Sequence, residues 1–140
     1  DVDGTKQYPY VVHRSSIGCY ERTLAFLIEK YAGAFPLWIC PTQVKILPIT
    51  DRTLNYAKTV AEKLTYRGIR CEVDNRNEKI GYKIREAKID KVPYVLVVGD
   101  KEAEELTVNV NKRGVEEKQT LSVDEFVDRV VKENEDKIIF

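Results

Sequence analysis

The run Tyr94–Val98, YVLVV, has no polar position in five residues. A strand with no solvent-compatible face belongs at the centre of a sheet that is covered on both sides. The segments before it repeat one rhythm. Val44–Ile49 reads as a strand, Asp51–Arg67 as a helix burying Leu54, Ala57, Ala61 and Leu64 and ended by Gly68, and Arg70–Val73 as a short strand. A helix from about Lys79 to Asp90, opened by a capping box over Asn75–Glu78, puts Ile80, Ile84 and Ala87 on one face. This βαβαβ order predicts parallel strands joined by helical crossovers. Leu106–Asn111 and about Glu117–Leu121 flank Lys112, Arg113 and Gly114 and read as a hairpin adding an antiparallel edge. Ser122 and Glu125 then cap a helix whose Val123, Phe126, Val127, Val130 and Val131 make an inward stripe. The predicted fold class is α/β, with a mixed, mainly parallel five-stranded sheet flanked by helices.

The first part of the chain reads differently. Asp1–Gly33 suggests a strand pair turning at Asp3 and Gly4, with an apolar strand Tyr8–Val12, then a helix from near Gly18. In that helix Tyr20, Leu24, Leu27, Ile28 and Tyr31 form the expected buried stripe, and Gly33 is the stop. Ala34–Thr42, AFPLWICPT, is apolar and carries two prolines, which suits a connector packed between two domains. The expected division is therefore residues 1–35 and 36–140.

Lys and Arg number 23, as do Asp and Glu, so any phosphate-binding surface must be a local patch. One exists between Asn75 and Lys91, where Arg76, Lys79, Lys83, Arg85, Lys88 and Lys91 face only Glu78, Glu86 and Asp90. Nucleic acid is the natural partner for such an excess, the alternative being a plain solvated helix face. Three cysteines without a CxxC pair predict reduced thiols in a cytoplasmic protein. No apolar run nears the roughly 20 residues that span a bilayer, so no membrane partner is expected. The chain has no methionine and begins at Asp1, which reads as a piece of a longer protein.

A self-contained catalytic constellation is missing. His13 is the single histidine, and one ligand does not hold zinc. Arg22 beside Glu21 reads equally as a phosphate grip or as an ion-paired surface arginine. Near the sheet ends, by contrast, Asn77, Arg85, Lys91 and Glu102, the last in a charged turn after the Tyr94–Val98 strand, supply the amide, cationic and carboxylate groups that read splayed base edges, and Arg76, Lys79 and Lys83 could hold phosphates. Tyr82 and Tyr94 read as buried tyrosines in preference to base-stacking platforms.

With these residues in view, the chain resembles the C-terminal part of the threonyl-tRNA synthetases, class II aminoacyl-tRNA synthetases. HRSSIGCYERTLAFLIEKYAGAFPLW is similar to the third class II motif and the joint after it, and QVKILPIT, RNEKIGYKIRE, KVPY and VVGDKE to successive pieces of the anticodon-binding domain. The resemblance implies a catalytic-domain remnant over 1–35 and an anticodon-binding domain over 36–140. It implies that His13 corresponds to a zinc ligand and Arg22 to the motif 3 arginine that binds ATP, both orphaned here. It also implies that Asn77, Arg85, Lys91, Glu102 and Asn111 correspond to anticodon-reading positions, with Lys91 and Asn111 standing where many relatives have arginine. The expected partners are the anticodon loop of threonine tRNA and the rest of the catalytic domain, in a homodimer, with no DNA. ATP, magnesium and zinc would serve the full enzyme and no cofactor this chain alone, which is expected to be inactive. The rival readings are a non-catalytic RNA-binding module or accessory subunit of the same fold, and the anticodon domain of a prolyl, histidyl or glycyl synthetase.

Overall fold

The computed structural model describes residues 3–139. The expected strands are present, as β1 (Val44–Pro48), β2 (Cys71–Val73), β3 (Tyr94–Val98), β4 (Thr107–Lys112) and β5 (Gln119–Ser122). They form one sheet in the order β2-β1-β3-β4-β5. β1 pairs in parallel with β2 and β3, while β4 is antiparallel to both β3 and β5. The parallel half thus equals the antiparallel half and does not dominate, because the hairpin joins the sheet beside β3 and donates two of the four ladders. β3 is the central strand, as its apolar run requires.

Helices α2 (Leu54–Tyr66) and α5 (Val123–Glu135) pack on one face. Their Ala57, Val60, Leu64, Phe126, Val127 and Val130 meet Val44, Ile46, Tyr94, Leu96, Val98, Val108 and Val110, all buried. Each large aliphatic or aromatic side chain so covered stabilises the fold by about 1.5–3 kcal/mol. Every residue of the predicted α5 stripe is buried, and Glu125 N donates to the Ser122 hydroxyl at 3.3 Å, the cap the sequence specifies. α3 (Ile80–Ile89) covers the other face with Ile80, Ile84 and Ala87 over Leu47, Val92 and Val95. Its predicted capping box does not form: Lys79 takes the N-cap position with no side-chain cap. Instead the Asp74 carboxylate, just before the loop, accepts the Arg76 N–H at 3.1 Å and leaves Asn75 and Glu78 out of the capping role. A short helix unseen in the sequence, α4 (Asp100–Glu105), follows β3, where a charged turn was expected.

The N-terminal expectations fail twice, in a strand that does not form and in a helix that forms without being buried. Residues 6–14 form no strand, and Tyr8, Tyr10, Val11 and Val12 are exposed. A strand needs a ladder partner for its backbone groups, and every strand among the described residues belongs to the sheet above. Asp1 and Val2, the start of the proposed pair, lie outside the described residues. α1 (Tyr20–Tyr31) does form, and Gly33, at φ +75°, donates its N–H to Ile28 O at 3.0 Å to close it. Yet no α1 residue is buried; Tyr20, Leu24 and Ile28 are exposed and Leu27 and Tyr31 only partly covered. The connector behaves oppositely: Pro36, Leu37 and Cys40 are buried, and Leu37 joins the main core.

Candidate nucleic-acid interface

α3 has two unlike flanks. On one, Arg76 bridges the Asp74 carboxylate, with Nε to Oδ1 at 2.9 Å and Nη2 to Oδ2 at 2.6 Å, and also reaches Glu86. The hydrogen bond from Arg76 holds the Asp74 carboxyl at about 2, well below its ordinary 3.8. The same guanidinium lowers the Glu86 pKa. Lys45 of β1 pairs with Asp90 at 3.6 Å. Asp74 and Glu86, bridged by Arg76, tie one flank of α3 to the loop after β2, and Asp90 ties the end of the helix to β1. The helical repeat of 3.6 residues puts Gly81, Arg85 and Lys88 on the other flank, toward β3 and β4.

What lies beside that flank is set by strand alternation. Val95 pairs with Asn111 and Val97 with Asn109, and paired residues of an antiparallel ladder share a face. Val95 belongs to the cluster under α3, so Asn109 and Asn111 project on the α3 side. Both are half-buried, and Thr120 opposite Asn109 is exposed. The Asn111 amide donates to Val95 O at 3.3 Å and to Asn109 Oδ1 at 3.4 Å, which orients both side chains into a polar floor. Arg85 and Lys88, on the α3 flank away from the Arg76 bridge, are exposed and in no ion pair among the described residues. A second group stands at the carboxyl ends of the parallel strands, where open α/β sheets bind ligands. Asn77 is exposed there, beside the loop after β1. Glu102 is half-buried in α4, and its Oε2 accepts the Gly99 N–H at 2.9 Å. A β-carbon on Gly99 would sit 3.0 Å from that same oxygen, so the glycine leaves the carboxylate its position.

Several sequence-based assignments change. Lys83 is not a phosphate contact: it is 4% exposed, and its ammonium donates to Asp74 O at 3.0 Å. The basic face drawn from composition passes through position 83, but in three dimensions that position lies on the core side, and the lysine stem is buried with the head on a carbonyl. Arg76 is committed to two carboxylates. Lys91, in the left-handed region at φ +56°, directs its ammonium to Ala32 O, away from the floor. Lys79 is exposed, as required of a phosphate contact. Tyr94 is buried, its hydroxyl donating to Glu133 Oε2 at 2.6 Å, whereas Tyr82 is half exposed, contrary to expectation. Asn109 and Thr120 were passed over, and Lys88 was counted only in the charge of the patch; the alternation in TVNVNK and the three-residue step from Arg85 were the available signals.

His13 and Arg22 stand apart from all of this, exposed on the N-terminal segment and α1. No group of three or more His, Cys, Asp or Glu side chains that would hold a metal occurs among the described residues. No helix is long and apolar enough to cross a membrane among the described residues.

A mixed sheet with amides on the side covered by α3, and unpaired cations exposed on that helix, defines an α/β domain with a polar, cationic surface. Residues 43–133 match the anticodon binding domain family, and the chain belongs to that family. Over 133 residues, 95% of the chain, it is 57% identical to threonine--tRNA ligase of Clostridium perfringens, and over 132 residues 51% identical to threonine--tRNA ligase 1 of Bacillus subtilis. The chain is homologous to the C-terminal region of these ligases and spans about a fifth of their length. Among solved structures, the RNA binding domain of threonyl-tRNA synthetase from Cryptosporidium parvum superimposes with a TM-score of 0.76 at 31% identity, covering 80% of this chain and 28% of that one. Prolyl-tRNA synthetase from the same organism gives 0.66 at 27% identity over 73% and 22% of the respective chains.

Proposed function

We propose that this domain reads the anticodon of a threonine tRNA on behalf of a longer threonine--tRNA ligase. The observation that carries the reading is the exposed, unpaired Arg85 and Lys88 on α3, on the same side of the sheet as the Asn109 and Asn111 amides. The guanidinium offers a planar donor fork to a base edge, and the amides both donate and accept. Asn77 and Glu102 at the strand ends add an amide and an acceptor for further base edges, while Lys79 holds the phosphate backbone. Asn111, an amide where many relatives have arginine, contributes base-edge contacts without charge. Anticodon binding then places the distant acceptor end of the tRNA for aminoacylation, so binding energy at this domain is spent on orientation.

In this proposal the activation of threonine with ATP, the magnesium and zinc that serve it, and homodimer formation belong to the longer enzyme, working in the cytoplasm. His13 and Arg22 contribute only once residues outside this chain complete their sites. The purified chain is expected to give no threonine-dependent ATP and pyrophosphate exchange above background. The deciding experiment is a titration with the threonine tRNA anticodon stem-loop and a copy with its middle base changed. Tighter binding of the cognate loop supports the reading, and equal binding of the two overturns it.

A further inference from the structure

Between α1 and β1 the backbone presents six carbonyls to side-chain donors of the sheet domain. Gln43 Nε2 donates to Leu37 O at 2.9 Å, and Arg70 reaches Trp38 O at 3.0 Å and Cys40 O at 2.8 Å. These hold the connector on the sheet. The remaining three carbonyls, at the C-terminus of α1, are taken by two cations. Lys91 donates to Ala32 O, and Arg113 Nη2 donates to Ala34 O at 3.2 Å and Phe35 O at 2.8 Å. Arg113 Nη1 also donates to Lys91 O, so one cation anchors the backbone from which the other extends.

None of the α1 residues is buried, and Tyr31 at its end meets Phe35 of the connector edge to face with ring centroids 6.4 Å apart. Arg113 forms no ion pair among the described residues; carbonyls accept all its hydrogen bonds. Three convergent bonds from a planar guanidinium define an orientation, which a single flexible ammonium does not. Cations are also favoured at the negative end of a helix dipole, which is where both sit relative to α1.

We propose that Lys91 and Arg113 form a clasp that fixes the direction in which α1 leaves the anticodon-binding domain, acting as positioning residues and not as RNA contacts. The inference rests on the anticodon reading for its purpose: a fixed angle at the joint converts loop binding on the sheet into a defined placement of everything attached through α1.

The test uses the whole chain. The amide hydrogens of Ala32, Gly33 and Ala34 are bonded back into α1, and their exchange reports how firmly the joint is held. Loss of one clasp bond in Lys91→Ala, or of the set in Arg113→Ala, is expected to speed their exchange about tenfold or more. Both variants should bind the threonine anticodon stem-loop within about twofold of the parent, a change below 0.5 kcal/mol. Lys91→Arg should restore slow exchange, and Arg113→Lys should not. Spin labels on Glu29→Cys and Glu62→Cys, with Cys19 and Cys71 changed to Ser, should show a broader distance distribution in the alanine variants. The clasp is overturned if exchange and distances are unchanged, or if the variants lose stem-loop affinity while the joint stays protected. Failure of the parent chain to discriminate stem-loops would instead strike the anticodon reading, leaving the exchange and distance results to judge the clasp. Should Arg113→Ala not fold, Lys91→Ala carries the test, since it removes only an exposed side chain.

Discussion

Helices α1 and α5 carry the same kind of sequence and meet different fates. Both have apolar residues at helical spacing, yet α5 buries Val123, Phe126, Val127, Val130 and Val131, and α1 buries nothing. Amphipathicity states a demand for a partner surface; it does not supply one. α5 meets the apolar face of β3 and β4, whereas α1 hangs by its C-terminus from the Lys91 and Arg113 bonds. Lys79 and Lys83 repeat the lesson one helical turn apart: the first is exposed, the second sealed on Asp74 O.

The largest test of this contrast is truncation of matched apolar residues. Phe126→Ala is expected to cost about 3–5 kcal/mol in urea unfolding, and Leu24→Ala in α1 less than about 0.5 kcal/mol. A comparable loss at Leu24 would mean that α1 packs in solution against a surface absent from this fold.

Asp74 sharpens the same comparison within the α3 flank. Its folded pKa of about 2 lies below the ordinary 3.8, so the folded state binds fewer protons there than the unfolded chain does. The resulting stability is fully present above about pH 4 and disappears as pH falls through about 2, a loss of about 2 kcal/mol. Urea midpoints followed from pH 5 down to 2 should show this drop, reduced in Asp74→Asn. An unchanged acid limb in that variant would show that other carboxylates carry it.

On the opposite flank, Arg85→Ala should weaken cognate stem-loop binding by about 1–3 kcal/mol and blur discrimination at one anticodon position. Equal losses for cognate and altered loops would reassign Arg85 to a phosphate. The smallest effect separates the two lysines. Lys79→Ala should reduce the salt slope of RNA binding by about 0.7, while Lys83→Ala should leave that slope alone and destabilise the fold by about 1–3 kcal/mol through the carbonyl left buried. A salt slope that responds to Lys83 would place its ammonium on the RNA after all.

Part of the exposure at the candidate site was legible in advance because short-range pattern carried it. Arg85 and Asn77 were picked from the loop and helix before Tyr94, and the structure leaves both exposed. Lys91 was misplaced because its direction depends on Ala32, 59 residues away in sequence. Asn109 was overlooked because its neighbours, Val97 and Thr120, come from other strands. Glu102 was placed in a turn, since a six-residue helix is too short to show a periodic stripe.

By itself, then, the amino-acid order determined the five strands of the sheet, the helices α1, α2, α3 and α5 and the stripe each of these needs to cover, because dihedral preference and hydrophobic period act over a few residues. Tertiary structure alone decided which charges stay in water. Lys79, Lys83 and Lys91 are chemically one residue type, but their ammonium groups end in solvent, under a core and on a helix terminus, because each is placed by the nearest acceptor in space and not in sequence.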